Sequence, residues 1–142
     1  MDRNVVNVMN RLIRLDLTAI RSYEQAIEGA KSVEIRERLT EFMADHHRHV
    51  RDLEVMVVAF GGKPAKRRGL MGPFIEGFTA VLAMGNRTAL LAMRTNEALT
   101  NRTYAAALRR PLPEGVRALI ASNYADERRH LAWIKEARRV RV

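Results

Sequence analysis

The stretch Ala44-Asp45-His46-His47-Arg48-His49 is nearly rewritten at Ala125-Asp126-Glu127-Arg128-Arg129-His130, displaced by 81 positions without a gap. The same offset pairs Asp16 with Glu97, Arg21 with Arg102, Ser22 with Thr103, Tyr23 with Tyr104 and Ala26 with Ala107 upstream, and Leu53 with Ile134 downstream. The chain therefore reads as two related halves. Each half supplies one early carboxylate and, about thirty residues later, the cluster D-[H/E]-x-R-H.

Working outward, each half resolves into a helical hairpin. Val5, Met9, Leu12, Asp16, Ala19, Tyr23 and Ala26 follow the three-four spacing of a buried helix face. Gly29 and Ser32 mark a stop and an N-cap, after which Ile35, Leu39, Phe42, His46, His49, Leu53 and Met56 form the next stripe. The second half repeats this through Leu90, Met93, Glu97, Asn101 and Tyr104, then through Val116, Ile120, Asn123, Glu127, His130 and Ile134, with Pro113 predicted in the first turn of the last helix. The expected organisation is a single all-α domain over 1–142: a hairpin at 4–60, a connector at 61–84 and a hairpin at 85–139. A long middle connection between two short-turned hairpins predicts a crossover four-helix bundle. About twenty-four residues at up to ~3.3 Å each can run the length of such a bundle.

The informative positions are polar. Asp16, His46, His49, Glu97, Glu127 and His130 stand on the apolar stripes where Leu or Ile would be expected. Burial without compensation would cost several kcal/mol for each. A hairpin turning near residues 31 and 32 puts Asp16 level with position 47, and one turning near 112 and 113 puts Glu97 level with position 128. All six groups can thus meet in one layer. Three carboxylates and three imidazoles are donors suited to iron, manganese or zinc. The competing arrangement is a metal-free bundle in which Asp–His and Glu–Arg pairs replace the ion. Asp45 and Asp126 can accept the far N–H of a histidine on the opposite hairpin, or pair with Arg48 and Arg129.

This order of carboxylate, D-H-x-R-H, carboxylate and D-E-x-R-H resembles the ferritin-like superfamily of di-iron and di-manganese bundles, with its rubrerythrins, bacterioferritins and small bacterial members. That pattern places one Glu on each of two helices and Glu-x-x-His on each of the other two. Glu127-x-x-His130 matches it outright and Glu97 matches a lone carboxylate, while Asp16 is a shorter substitute and His46 stands where the superfamily has a carboxylate. The resemblance implies an iron cofactor, manganese or zinc being the alternatives. It also implies dioxygen or peroxide as the partner substrate in a ferroxidase- or peroxidase-type oxidoreductase reaction. Asp16, His49, Glu97 and His130 would then be terminal ligands and Glu127 the bridge. With an imidazole at 46 the two sites should be unequal, one built on Asp16, His46 and His49, the other on Glu97 and His130.

Charge points to a different class of partner. Against 16 acidic residues the chain has 25 Lys and Arg, a net charge of +9, with basic runs at Lys63, Lys66, Arg67 and Arg68 and at Arg138, Arg139 and Arg141. Such a surface attracts nucleic acid non-specifically, so a DNA-coating bundle is the alternative function. The absence of Cys excludes a disulfide scaffold. With no apolar run after Met-Asp-Arg-Asn, a cytoplasmic location is expected. The apolar connector Leu70 to Met84, interrupted by Pro73, Glu76 and Gly77, does not read as a membrane span and is expected to form a homo-oligomer interface.

Overall fold

The computed structural model describes residues 3–66 and 85–141. They form four helices: α1 (Arg3–Gly29), α2 (Val33–Ala59), α3 (Asn86–Leu108) and α4 (Glu114–Arg141). The segment 67–84, carrying Arg67, Arg68 and the apolar connector Leu70 to Met84, lies outside the described residues.

Local signals set the helix ends. Ser32 caps α2, its hydroxyl accepting from the Ile35 N–H at 3.3 Å. Gly61, with φ of 78°, takes the left-handed conformation that ends α2 after Phe60. A side chain at Gly62 would meet Val6 Cγ1 at 2.7 Å, so only glycine lets this turn settle against α1. Pro113 falls one residue outside its predicted place: α4 begins at Glu114, and the Pro113 carbonyl accepts from the Arg117 N–H at 2.9 Å. Lacking an N–H, proline fits just as well at this boundary.

α1 packs on α2, α3 on α4, and the two hairpins join through α1 against α3 and α2 against α4. Cross-helix contacts give the direction. At one end Asn86 accepts from the Lys31 and Ser32 N–H groups at 2.5 and 3.0 Å; at the other, Asn10 bonds the backbone of Lys63 and Ala65. Residue 65 therefore lies beside the start of α1 and residue 86 beside its end. α2 thus ends and α3 begins at opposite ends of the bundle, which is the crossover topology.

The apolar core is divided in two. One cluster holds Val5, Met9, Leu12, Leu53, Val57, Val116 and Ile120. The other holds Ala26, Ile35, Leu39, Phe42, Leu90, Met93 and Ile134. Between them lies a layer of buried polar side chains.

Candidate metal centre

Asp16 on α1, His46 and His49 on α2, Glu97 on α3, and Glu127 and His130 on α4 make up that layer, all with 0% exposure. Their donor atoms fall into two groups that could hold a metal ion: Asp16, His46, His49 and Glu127, and His46, Glu97, Glu127 and His130. Within each group the donors lie within 4.8 Å of one another. His46 and Glu127 belong to both. The sequence grouped His46 with Asp16 and His49 alone; its Nδ1 is 2.6 Å from Asp16 Oδ1, but its Nε2 is 3.2 Å from Glu97 Oε2.

The other two histidines are held from behind. His49 Nε2 lies 2.9 Å from Asp126 Oδ2, and His130 Nε2 lies 2.8 Å from Asp45 Oδ2. A carboxylate only accepts, so each Nε2 carries the proton and each Nδ1 is turned into the layer. There His49 Nδ1 sits 3.3 Å from Asp16 Oδ1 and 3.2 Å from Glu127 Oε1, while His130 Nδ1 sits 3.2 Å from Glu97 Oε2. The aspartates are in turn cross-linked by arginines, Arg48 pairing with both Asp45 and Asp126, and Arg129 with both at 2.7 and 3.2 Å. With Asp45 and Asp126 16% and 20% exposed, this lattice separates the histidines from solvent between α2 and α4.

Tyr23 and Tyr104, which the periodicity places on the buried stripes, are fully buried there. Each also reaches across to the opposite hairpin, Tyr23 donating to Glu97 and Tyr104 to Asp16 Oδ2 at 2.5 Å. Two further neighbours were missed. The Thr100 hydroxyl lies 2.9 Å from Glu97 Oε1 and 3.2 Å from Glu127 Oε2, and Phe42 stacks on His130 with ring centroids 4.2 Å apart. Thr100 stands three residues after Glu97, on the same helix face. Its repeat partner is Ala19 and that of Phe42 is Asn123, so an argument from the duplication passes over both.

Electrostatics explain how the layer tolerates burial. Burial alone would lower the His49 pKa, yet hydrogen bonds and attraction from Asp16 and Glu127 raise it to about 9. At His130 burial likewise opposes, but hydrogen bonds to Asp45, Glu127 and Glu97 outweigh it and the pKa rises to about 10. His46 rises well above its usual value: desolvation is outweighed by Glu127, Asp16 and Glu97. Burial pushes the Glu127 carboxyl up, with the Glu97 charge adding to it against the pull of His46. Tyr23 and Tyr104, raised by burial and the adjacent carboxylates, remain phenols.

The donor set therefore fits a cation. Each inward nitrogen faces carboxylate oxygens, a contact that repels unless positive charge sits between them. Protons supply that charge in the metal-free state, and a metal ion can replace them. Glu127 Oε1 is buried beside His49 Nδ1 at 3.2 Å and His46 Nδ1 at 3.5 Å without a well-aligned hydrogen bond to either, which marks where the proton-only arrangement is incomplete.

The profile of the domain of unknown function DUF2383 matches residues 4–110, well over half of the chain. The chain belongs to the DUF2383 family. The match takes in α1, α2 and α3 with Asp16, His46, His49 and Glu97, and ends before α4, so Glu127 and His130 lie beyond it. No curated protein matches the chain.

Proposed function

We propose that Asp16, His46, His49, Glu97, Glu127 and His130 form a metal centre of the ferritin-like kind that handles iron. In this reading iron(II) is oxidised to iron(III) and its electrons pass to dioxygen or peroxide. One observation carries it. His49 and His130 are fixed by Asp126 and Asp45 so that both Nδ1 atoms point at buried carboxylates, as metal-ligating histidines do when a carboxylate holds the other ring nitrogen. Iron supplies the redox chemistry when bound, and the protein's part is to bind, orient and exclude water. Manganese and zinc suit the same donors. Stopped-flow oxidation of iron(II) in air tests the reading. The wild type should oxidise iron(II) faster than buffer does, and Glu127→Ala with His130→Ala should remove the difference. A wild-type rate equal to that of buffer overturns it.

A second reading, nucleic-acid coating, is favoured by the charge of one face. α1 and the run 86–110 together carry nine arginines, all exposed and none in an ion pair among the described residues, against two exposed acids, Glu24 and Glu28. Arg11, Arg102 and Arg110 line a groove of about 430 Å³ between α1 and α3. By contrast Arg139, in the C-terminal run, is paired with Glu136 at 2.7 Å. Duplex DNA should then bind with an affinity that falls steeply with salt. Arg11→Ser, Arg102→Ser and Arg110→Ser together should weaken binding more than Arg138→Ser with Arg139→Ser. No binding at low salt excludes this role.

A further inference from the structure

We infer that His46 is a bridging ligand, giving one ring nitrogen to each of two metal ions that Glu127 also joins. The inference rests on the metal-centre reading and specifies how the centre is built. One set of donors is Asp16 Oδ1, His46 Nδ1, His49 Nδ1 and Glu127 Oε1; the other is Glu97 Oε2, His46 Nε2, His130 Nδ1 and Glu127 Oε2. The sets are alike in composition, each with two nitrogens and two oxygens. They are also alike in size. Four ligands at ~2.0–2.2 Å from a tetrahedral metal stand roughly 3.4 Å apart. In the first set the separations are 3.3 Å for Asp16–His49, 3.2 Å for His49–Glu127 and 3.5 Å for His46–Glu127. In the second they are 3.2 Å for His46–Glu97, 3.2 Å for His130–Glu97 and 3.7 Å for His130–Glu127. Among these pairs Asp16–His46, at 2.6 Å, must open on binding.

Each alternative leaves a site short. If His46 served only the Asp16 side, Glu97, Glu127 and His130 would offer a single nitrogen to their metal, and His46 Nε2 would aim a proton at Glu97 across the space the metal needs. The reverse assignment strands Nδ1 against Asp16. Sharing the ring completes both sets, and the two protons it gives up pass to bulk water. The imidazole thereby does the work of a second bridging carboxylate, with the metals spaced farther apart than the ~3.5–4 Å common in two-metal sites.

Equilibrium dialysis of the full chain against zinc, a metal that suits mixed nitrogen and oxygen donors, tests this. The wild type should hold two zinc ions, His49→Ala and His130→Ala one each, and His46→Ala should weaken both binding steps at least tenfold. Circular dichroism verifies that each variant folds, and two conservative variants keep the test decisive should His46→Ala not fold. The amide of His46→Asn lies near the Nδ1 position and should rescue only the site that needs His49. That of His46→Gln lies near Nε2 and should rescue only the site that needs His130. A wild type holding one zinc, or a His46→Ala that weakens one step and leaves the other within twofold, overturns the shared imidazole but leaves a metal centre. No bound zinc, iron(II) or manganese(II) overturns both.

Discussion

His46 Nδ1 lies 3.5 Å from Glu127 Oε1, although the two residues occupy the same place in the two halves of the bundle, 81 positions apart. Every other pair of donors keeps its chemical type across the duplication: Asp16 with Glu97, His49 with His130, Asp45 with Asp126. An imidazole thus stands in one half where the other half has a carboxylate, so the layer holds three carboxyl groups and three titratable rings.

Placing a carboxylate at that position should bring the metals closer together. His46→Glu is expected to keep two metals per chain, because a carboxylate can also give one oxygen to each, and to oxidise iron(II) in air faster than the wild type. Stopped-flow absorbance reads the rate. An unchanged rate and occupancy would place His46 outside the ligand set.

Metal should stabilise the fold, since a ligand bound only by the folded state adds ~2.7 kcal/mol at a hundredfold excess over its Kd. That is roughly 10 °C in Tm for a chain of this size. Differential scanning calorimetry should show the rise in the wild type, and Glu127→Ala with His130→Ala should abolish it.

Asp45 and Asp126 set the tautomers of the inward histidines, so removing their charge should act through the rings. Asp126→Asn is expected to weaken the site that uses His49, and Asp45→Asn the site that uses His130, each by roughly 10–100-fold in metal affinity. Titration with zinc, one variant at a time, distinguishes this from loss of surface ion pairs alone, which would leave both affinities unchanged.

The duplication made much of this legible. The polar interruptions of the stripes picked out the six buried residues because Leu or Ile is the rule there, and equal offsets placed them at one height. Geometry across the bundle was not legible. Tyr23 sits two turns from Asp16 on its own helix yet bonds Glu97 on α3, and only the packing of α1 against α3 creates that contact. The part of Thr100 was hidden for a related reason: Ala19, its repeat partner, has no hydroxyl. The two-sided placement of His46 depends on ring orientation, which spacing along a helix does not fix.

The tyrosine contacts give their own test. Tyr104→Phe removes a buried donor from Asp16, and Tyr23→Phe one from Glu97. Each should destabilise the metal-free protein by about 1.5–3 kcal/mol, the range for a hydrogen bond to a charged group. Urea denaturation in chelator checks this. A loss under 0.5 kcal/mol, taken as roughly the ordinary surface value, would mean that these phenols only fill space.

The pH dependence has a defined sign. His49 and His130 are raised from 6.5 to about 9 and about 10, so the stability their carboxylate pairs contribute is full below pH 6.5 and lost as the pH rises through those folded values. Metal affinity moves the other way over the same window, because metal must displace these protons. Zinc binding at pH 7 should therefore release protons, measurable by calorimetry in buffers of different ionisation enthalpy. Binding with no proton release would contradict the charge state assigned to the layer.

The most direct measurement is anomalous X-ray diffraction from crystals of the protein loaded with iron(II) without oxygen, collected at the iron edge. Two peaks are expected within the buried layer, one bounded by Asp16, His46, His49 and Glu127 and the other by His46, Glu97, Glu127 and His130. An empty layer, with every histidine still in its metal-free contacts, would contradict the account.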